Sequence, residues 1–279
     1  MDRDAMSGGS LACVGLGMML GAHLSPRARS HLETADVVFA AVADPLFETW
    51  LREIAKDVRS LQPYYGARSG AKSRHETYRE MAEAMLAEVR AGRRVCGAFY
   101  GHPGVFAQAP HVAIAQARAE GYAAVMEPGI SAEDCLYADL GIDPGRFGCQ
   151  HHEASQLLFH RRRLDPTAYL VLWQVGIAGD RSHRRFETDP ARLAILVDVL
   201  AADWPRTHEG VLYEAATLPI HPPRIETVRL GDLPSAVLSP RTTLVLPPAA
   251  SLQHNRDVLA RLDALDEAPP TSDTPGDPR

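Results

Sequence analysis

Lysine is almost missing from this chain: of 29 basic side chains only Lys56 and Lys72 are not arginine. The skew itself carries no functional weight, but the charge balance does. With 35 acidic side chains the net charge is −6, so there is no surplus of positive charge to neutralise phosphates, and nucleic acid is not an expected partner. Cysteine is scarce too. Cys13, Cys96, Cys135 and Cys149 form no CxxC pair, and no Cys/His group has zinc-ligand spacing. A disulfide framework and a structural zinc site are thereby excluded, and free thiols in a cytosolic protein are expected. Long apolar runs are absent as well. Leu11–Ala22 comes nearest, but it follows the acidic start Asp2-Arg3-Asp4 and is interrupted by Gly15, Gly17 and Gly21. It is too short to span a bilayer and has the wrong flank for a signal peptide. A soluble, cytoplasmic protein without membrane partners is the expectation.

What is present is an ordinary globular composition, 46% hydrophobic and 23% charged over 279 residues. That length suits two domains. The first half alternates short apolar runs with helical patterns: strands at Leu11–Gly15, Val37–Ala41, Val95–Tyr100 and Ala123–Met126, helices at Pro26–Thr34, Leu46–Asp57, Tyr78–Ala91 and Gln108–Glu120. Such alternation means βαβ units and a parallel sheet covered on both faces. The turn Pro128-Gly129 ends this part. Beyond it the spacing predicts a helix over Ser131–Leu140 capped by Ser131, strands at Tyr169–Trp173, Val211–Ala215, Ile225–Leu230 and Thr243–Leu246, and a helix at Ala191–Ala202. More strand and less helix suggests a mixed sheet. The expected fold class is therefore α/β, with two α/β domains: residues 10–128 with the parallel sheet, residues 129–250 with the mixed one. Residues 251–279 would add an amphipathic helix over Leu252–Leu265 and an acidic, proline-rich disordered tail.

Three glycine-bearing turns fall at the carboxyl ends of predicted parallel strands: VGLGMMLG from Val14, FYGHPGVF from Phe99 and EPGISAED from Glu127. Ligands of parallel sheets bind at that edge, where glycine admits close backbone approach and helix N-termini offer N–H groups to anions. The spacing of Gly15, Gly17 and Gly21 is GxGxxxG, not the dinucleotide fingerprint GxGxxG. Asp36 also precedes the second strand, where a ribose-binding acid would follow it. Tight βα turns alone would explain the first loop, but from sequence no packing requirement accounts for all three together.

The strings VGLGM, FYGHPGVF and PGISAEDCLYADLGIDP resemble the tetrapyrrole-methylase superfamily of S-adenosylmethionine-dependent methyltransferases. Together with YYGARSGAKSRHETY (64–78) they look most like its borosin branch, the peptide backbone α-N-methyltransferases. The resemblance runs over roughly residues 11–248. It implies a tetrapyrrole-methylase-like (class III) fold and S-adenosylmethionine as donor, with S-adenosylhomocysteine as product and no metal. Gly15, Gly17, Tyr100, His102, Val105 and Phe106 would line the donor cleft from the first domain. Ser131 and Ala132 would follow at the junction, and Gln174, Tyr213, Ala215 and Thr243 from the second domain. Taken singly, His102 and Ser131 also read as helix caps and Gln174 as a sheet-edge amide.

A backbone amide is a poor nucleophile because its lone pair is delocalised into the carbonyl, so methylating it requires removing or sharing its proton and stabilising charge on oxygen. A phenolate beside a cation would serve. Free tyrosine is only about one part in a thousand ionised at pH 7, and a guanidinium would raise that fraction. Arg74 and Tyr78, four apart, share one helix face. Without the family they read as an ordinary helix start. By resemblance the catalytic set is Tyr65, Arg74, Tyr78 and Tyr100: Tyr78 as base, Arg74 lowering its pKa or holding the oxygen, Tyr65 and Tyr100 orienting amide and donor.

Two further clusters have plainer expectations. His151-His152-Glu153 reads as a solvated strand, since neighbours on a strand point to opposite faces. His160-Arg161-Arg162-Arg163 reads as a surface turn, with a docking patch for an acidic peptide as the lesser alternative. The resemblance further implies a homodimer. The tail TSDTPGDPR lacks the apolar run of a core peptide, so the precursor peptide is expected in trans, on a separate polypeptide. Two alternatives stay open: a corrin or porphyrin C-methyltransferase on the same fold, and a donor-binding interaction module without catalysis.

Overall fold

The computed structural model describes residues 8–42, 44–65, 73–182, 184–185 and 187–266. The expected tail beyond Asp266, and residues 66–72 of the tyrosine segment, lie outside these. The first part runs β1 (Ser10–Gly15), α1 (Pro26–Thr34), β2 (Val37–Ala41), α2 (Pro45–Ile54), β3 (Val58–Ser60), α3 (Arg74–Arg90), β4 (Arg94–Phe99), α4 (Gln108–Ala119) and β5 (Ala123–Glu127). Its strands form one all-parallel sheet ordered β3-β2-β4-β1-β5. Because side chains alternate along a strand, each strand feeds two cores. Leu11, Cys13, Phe39 and Phe99 face α3 and α4, while Val14, Val38, Ala40 and Ala98 face α1 and α2. The chain leaves β1 towards β2 and leaves β4 towards β5, in opposite directions. The carboxyl ends of these two adjacent central strands therefore form the switch-point crevice of an open parallel sheet.

The second part continues with α5 (Ala132–Leu140), α6 (Pro144–Phe147), β6 (Cys149–Glu153), α7 (Ala154–Phe159), β7 (Tyr169–Trp173), α8 (Pro190–Leu200), β8 (Glu209–Glu214), β9 (Arg224–Arg229), β10 (Thr243–Leu246) and α9 (Arg256–Asp266). Its sheet is ordered β6-β7-β10-β8-β9, with β6 and β7 parallel and the other pairs antiparallel. One face packs on α7 and α8 through Leu157, Leu193, Leu196 and Leu200. The other is covered by α5, whose Leu136 sits among Val171, Trp173, Tyr213 and Val245. Helix α5 thus starts directly after the last strand of one sheet and packs on the other.

Local chemistry sets most boundaries. Ser25 caps α1, Asp44 followed by Pro45 opens α2, and Ser73 with Glu76 forms a reciprocal capping box on α3. One predicted helix, Leu46–Asp57, ends early at Ile54, because Val58 is buried and pairs with Val38 in β3. A three-residue strand is too short to show alternation.

The structure also corrects the reading of the glycine turns. A Cβ on Gly15 would stand 2.5 Å from the Gly101 carbonyl oxygen and 2.6 Å from Gly129 Cα, and one on Gly129 would strike the same oxygen. The three turns interlock backbone to backbone, so one packing requirement does account for them together. Gly15→Ala is expected to destabilise the fold by about 2–3 kcal/mol or more through overpacking. Gly92→Ala, where nothing stands within 4 Å but φ is +82°, should cost only about 1–2 kcal/mol. Urea unfolding of the two variants checks the order.

Candidate functional site at the strand ends

The edge beyond β1 and β4 is stitched by a short antiparallel bridge: Gly17 N–H donates to the Gly101 oxygen (3.2 Å) and Gly101 N–H to the Gly17 oxygen (2.9 Å). The turn after β4 is held from within. His102 Nδ1 accepts from Gly104 N–H at 2.9 Å, and the His111 ring bonds the Gly104 oxygen at 3.0 Å. The turn leaves large apolar side chains open, with Tyr100, Val105 and Phe106 exposed by 51, 38 and 50%. Such surface, beside backbone that only glycine permits, suits a ligand with a flat apolar part and polar ends. The Phe106 ring lies 5.7 Å from that of Trp173, the last residue of β7, and Gln174 follows it. Phe106 and Gln174 are the two non-glycine residues at positive φ (51° and 58°) among the described residues. Strain of this kind costs about 1–3 kcal/mol each and collects at functional sites.

The second sheet presents Gln174, Tyr213, Ala215 and Thr243 along the edge where β7 ends and β10 begins, with Thr243 opposite Tyr213. Tyr213 and Thr243 are 1 and 2% exposed, so any ligand contact from them would be through backbone. The Tyr213 hydroxyl is spent on Asp139 of α5 at 2.8 Å. Burial and that carboxylate push its titration up. Ser131 is fully engaged as a cap: its hydroxyl donates to Asp134 and accepts from the Glu133 and Asp134 N–H groups. Ala132 opens α5 behind it.

On the first-domain side of this edge stand the tyrosines. Tyr65 and Tyr78 meet edge to face at 6.4 Å. Burial, then Tyr78 and Tyr100, push the Tyr65 hydroxyl well above its ordinary range, with Arg74 the counteracting influence. The Tyr100 side chain stays half open to solvent, yet partial desolvation and then Tyr78 raise its hydroxyl, against Arg241. The four residues singled out in the sequence therefore share one electrostatic neighbourhood. At neutral pH Tyr65 and Tyr100 are neutral hydrogen-bonding groups, not phenolates.

Sequence reasoning missed what holds Arg74. Its guanidinium donates to the Arg185 carbonyl at 2.8 Å and lies 3.8 Å from the Asp180 carboxylate, across to the second half of the chain. Asp180 is 4% exposed. It accepts from the N–H groups of Ser182, Arg184 and Arg185 at 2.9 Å each and from the Ser182 hydroxyl at 2.6 Å. Burial alone would raise its pKa, but these bonds and Arg74 outweigh it and hold the carboxyl below its usual range. The Asp-x-Ser pattern after Gly179 is a readable turn signal; its pairing with Arg74, 106 positions upstream, is not. His151–Glu153 needs correction. It is a strand, β6, but a half-buried one, because α5 lies over it: His151 bonds Tyr137 of α5 at 2.8 Å. His160–Arg163 is exposed, as a surface turn should be.

With this geometry in place, the chain can be compared with known proteins. Residues 10–234 match the tetrapyrrole (corrin/porphyrin) methylases. The chain belongs to that family. Within it, its relatives are borosin proteins. It is 41% identical, over 97% of its own length and 71% of the relative's, to the methyltransferase/ribosomally synthesized type I borosin cyclic peptide precursor of Coprinopsis marcescibilis. It is 39% identical, over 92% and 62%, to the methyltransferase/ribosomally synthesized cyclic peptide omphalotin A precursor of Omphalotus olearius. The chain thus spans between 30 and 71% of the length of such curated relatives, and about three-fifths of most of them. The fold is shared more widely: the uroporphyrin-III-C-methyltransferase of Thermus thermophilus superposes with a TM-score of 0.61 over 87% of this chain and 93% of that one, at 21% identity. Among the described residues of this chain no helix is long and apolar enough to cross a membrane.

The Asp180 turn gives a prediction in stability and in pH. Asp180→Asn should cost about 1–3 kcal/mol, since a charged acceptor of several hydrogen bonds is replaced by a neutral amide. A carboxyl whose folded pKa lies below the unfolded value of about 3.9 stabilises above that pH and loses its contribution as pH falls towards the folded value. The gap between wild type and Asp180→Asn, read by urea unfolding, should therefore be full near neutrality and shrink on acidification below about pH 4. A gap that widened there would contradict it.

Proposed function

We propose that this enzyme transfers methyl groups from S-adenosylmethionine to backbone amide nitrogens of a ribosomally made precursor peptide. The observation that carries the reading is the Tyr65, Tyr78, Tyr100 and Arg74 neighbourhood beside the glycine edge. When bound, the donor supplies an electrophilic methyl on a positively charged sulfur. The exposed turn of Tyr100, Val105 and Phe106, with Gly15, Gly17, His102, Ser131 and Ala132 on one side and Gln174, Tyr213, Ala215 and Thr243 on the other, suits such a molecule. We take 10–128 and 129–250 as the two domains contributing to it, with 251–279 as an appendage.

Tyr78 is assigned as the base that takes the amide proton. Arg74, fixed by Asp180 and the Arg185 carbonyl, is assigned to the amide oxygen, where negative charge gathers as the proton leaves. Its influence on Tyr65 is outweighed by burial, which favours this role over that of lowering a tyrosine pKa there. Tyr65 and Tyr100, kept neutral, would donate hydrogen bonds and orient amide and donor. A corrin or porphyrin methylase would alkylate ring carbon and has no use for this set. An interaction module without catalysis would transfer no label from methyl-labelled donor.

Tyr78→Phe should lower single-turnover methylation by at least about a hundredfold, as loss of a general base does, with S-adenosylhomocysteine affinity nearly unchanged. Arg74→Ala should act similarly, and the double variant should be little worse than either. A near-normal rate in Tyr78→Phe would remove it from the mechanism.

The substrate amides are proposed to lie on a separate polypeptide, and two copies of the enzyme are proposed to act as a dimer. Intact mass after co-expression with a precursor peptide should show +14 Da steps on the peptide alone. Steps mapped to residues 249–279 would overturn the in-trans reading. Light scattering of the same sample should give about twice 30.4 kDa.

A further inference from the structure

Beneath α5, the second sheet carries a hydrogen-bonded chain that none of the roles above uses. Trp173 Nε1–H donates to His151 Nδ1 at 3.2 Å. The other ring nitrogen, Nε2, lies 2.8 Å from the Tyr137 hydroxyl, which donates to Glu133 Oε1 at 3.2 Å. An indole can only donate, so Nδ1 must be bare and the proton of the neutral ring sits on Nε2. Nε2–H then donates to the Tyr137 oxygen and frees the tyrosine proton for Glu133. Every link runs one way, from Trp173 to a half-exposed carboxylate. The imidazole also stacks on the indole, with centroids 5.9 Å apart and planes 18° off parallel.

Trp173 is where this chain meets the cleft. It is 5% exposed, its other neighbour is the Phe106 ring at 5.7 Å, and the next residue is Gln174. The two strained backbones of the cleft thus both lean on one indole, and the indole leans on His151. Strained conformations persist only where surrounding contacts over-determine them. We propose that His151, oriented by Tyr137 and Glu133, is a positioning residue for the donor cleft: its neutral ring locks Trp173, and Trp173 holds the Phe106 turn and Gln174 in their left-handed conformations. This rests on the donor reading of the cleft.

The lock has a pH sense. The groups facing His151 are Glu133 and Tyr137 from α5 and Cys149 and His152 from its own strand, with Trp173 on β7. Burial holds His151 below the ordinary histidine range, against the pull of Glu133. Below that range Nδ1 gains a proton and turns from acceptor into a second donor facing the indole N–H. The lock should open once the pH falls below the ordinary histidine range.

Two readouts test this. In ¹H–¹⁵N spectra the indole signal of Trp173, assigned by its loss in Trp173→Phe, should move in wild type as the pH is lowered through and below the ordinary histidine range. It should stay still in His151→Asn, whose amide oxygen takes the place of Nδ1 and does not titrate. Calorimetry with S-adenosylhomocysteine near pH 7.5 should show His151→Phe binding roughly 5–30-fold more weakly, the size expected for a lost buried hydrogen bond and its lock. His151→Asn should recover most of that loss. Should His151→Phe fail to fold, the wild-type and His151→Asn spectra still decide. A Trp173 signal indifferent to pH in wild type, or equal affinity in a folded His151→Phe, would overturn the proposal. Wild type that binds no S-adenosylhomocysteine would instead overturn the donor reading beneath it.

Discussion

Three backbones touch at one point, where Gly15, Gly101 and Gly129 pack without side chains between them. That contact fixes where β1, β4 and β5 release the chain, and the rest of the site inherits its position from it. The turn after β4 must swing out over the sheet edge, which leaves Tyr100, Val105 and Phe106 exposed. The turn after β5 must deliver Ser131 as a cap, and so launches α5. Helix α5 then packs Leu136 on the second sheet and brings Tyr137 and Asp139 onto His151 and Tyr213. A close contact of main chain thus sets how the chain passes from one core to the other.

The electrostatics of the site also depend on both halves. Helix α3 belongs to the first sheet, but the charge that orients its Arg74 comes from Asp180 in the second. Tyr100 likewise is raised by Tyr78 on one side and lowered by Arg241 on the other. Tyr65 and Tyr100 are both held above the ordinary tyrosine range, so neither is a standing phenolate at neutral pH.

The elements that could be read from sequence are those whose signals are local. Proline and serine caps gave α1 its bounds, and unbroken β-branched or aliphatic runs gave β2, β7 and β10 theirs. Strand β3 and the short helices α6 and α7 escape such a reading because three to six residues cannot display a period. The strand His151–Glu153 was assigned to solvent because a half-buried strand and an exposed one look alike when the covering helix comes from elsewhere. The tyrosine set was legible through family resemblance, whereas Asp180, Arg241 and Trp173 act through contacts dozens of residues away. The glycine turns show a subtler limit: their place at one sheet edge was readable, but that they pack on one another was visible only in three dimensions.

The same fold serves a uroporphyrin-III-C-methyltransferase at 21% identity, so the fold does not by itself choose the methyl acceptor. The choice has to lie in side chains that the scaffold tolerates but does not need. The residues proposed above for that part are Arg74 and Tyr78 on the first turns of α3, Tyr65 before it, and the Asp180 turn that reaches across to Arg74. None contributes to the interlocked glycines, and Arg74 and Tyr78 stand on a helix whose packing depends on Met81, Met85, Leu86 and Val89 further along. On the proposed reading the acceptor chemistry would rest on the start of α3 and the Asp180 turn, which stand apart from the interlocked glycines, so that one fold could serve different acceptors by changing side chains rather than main chain.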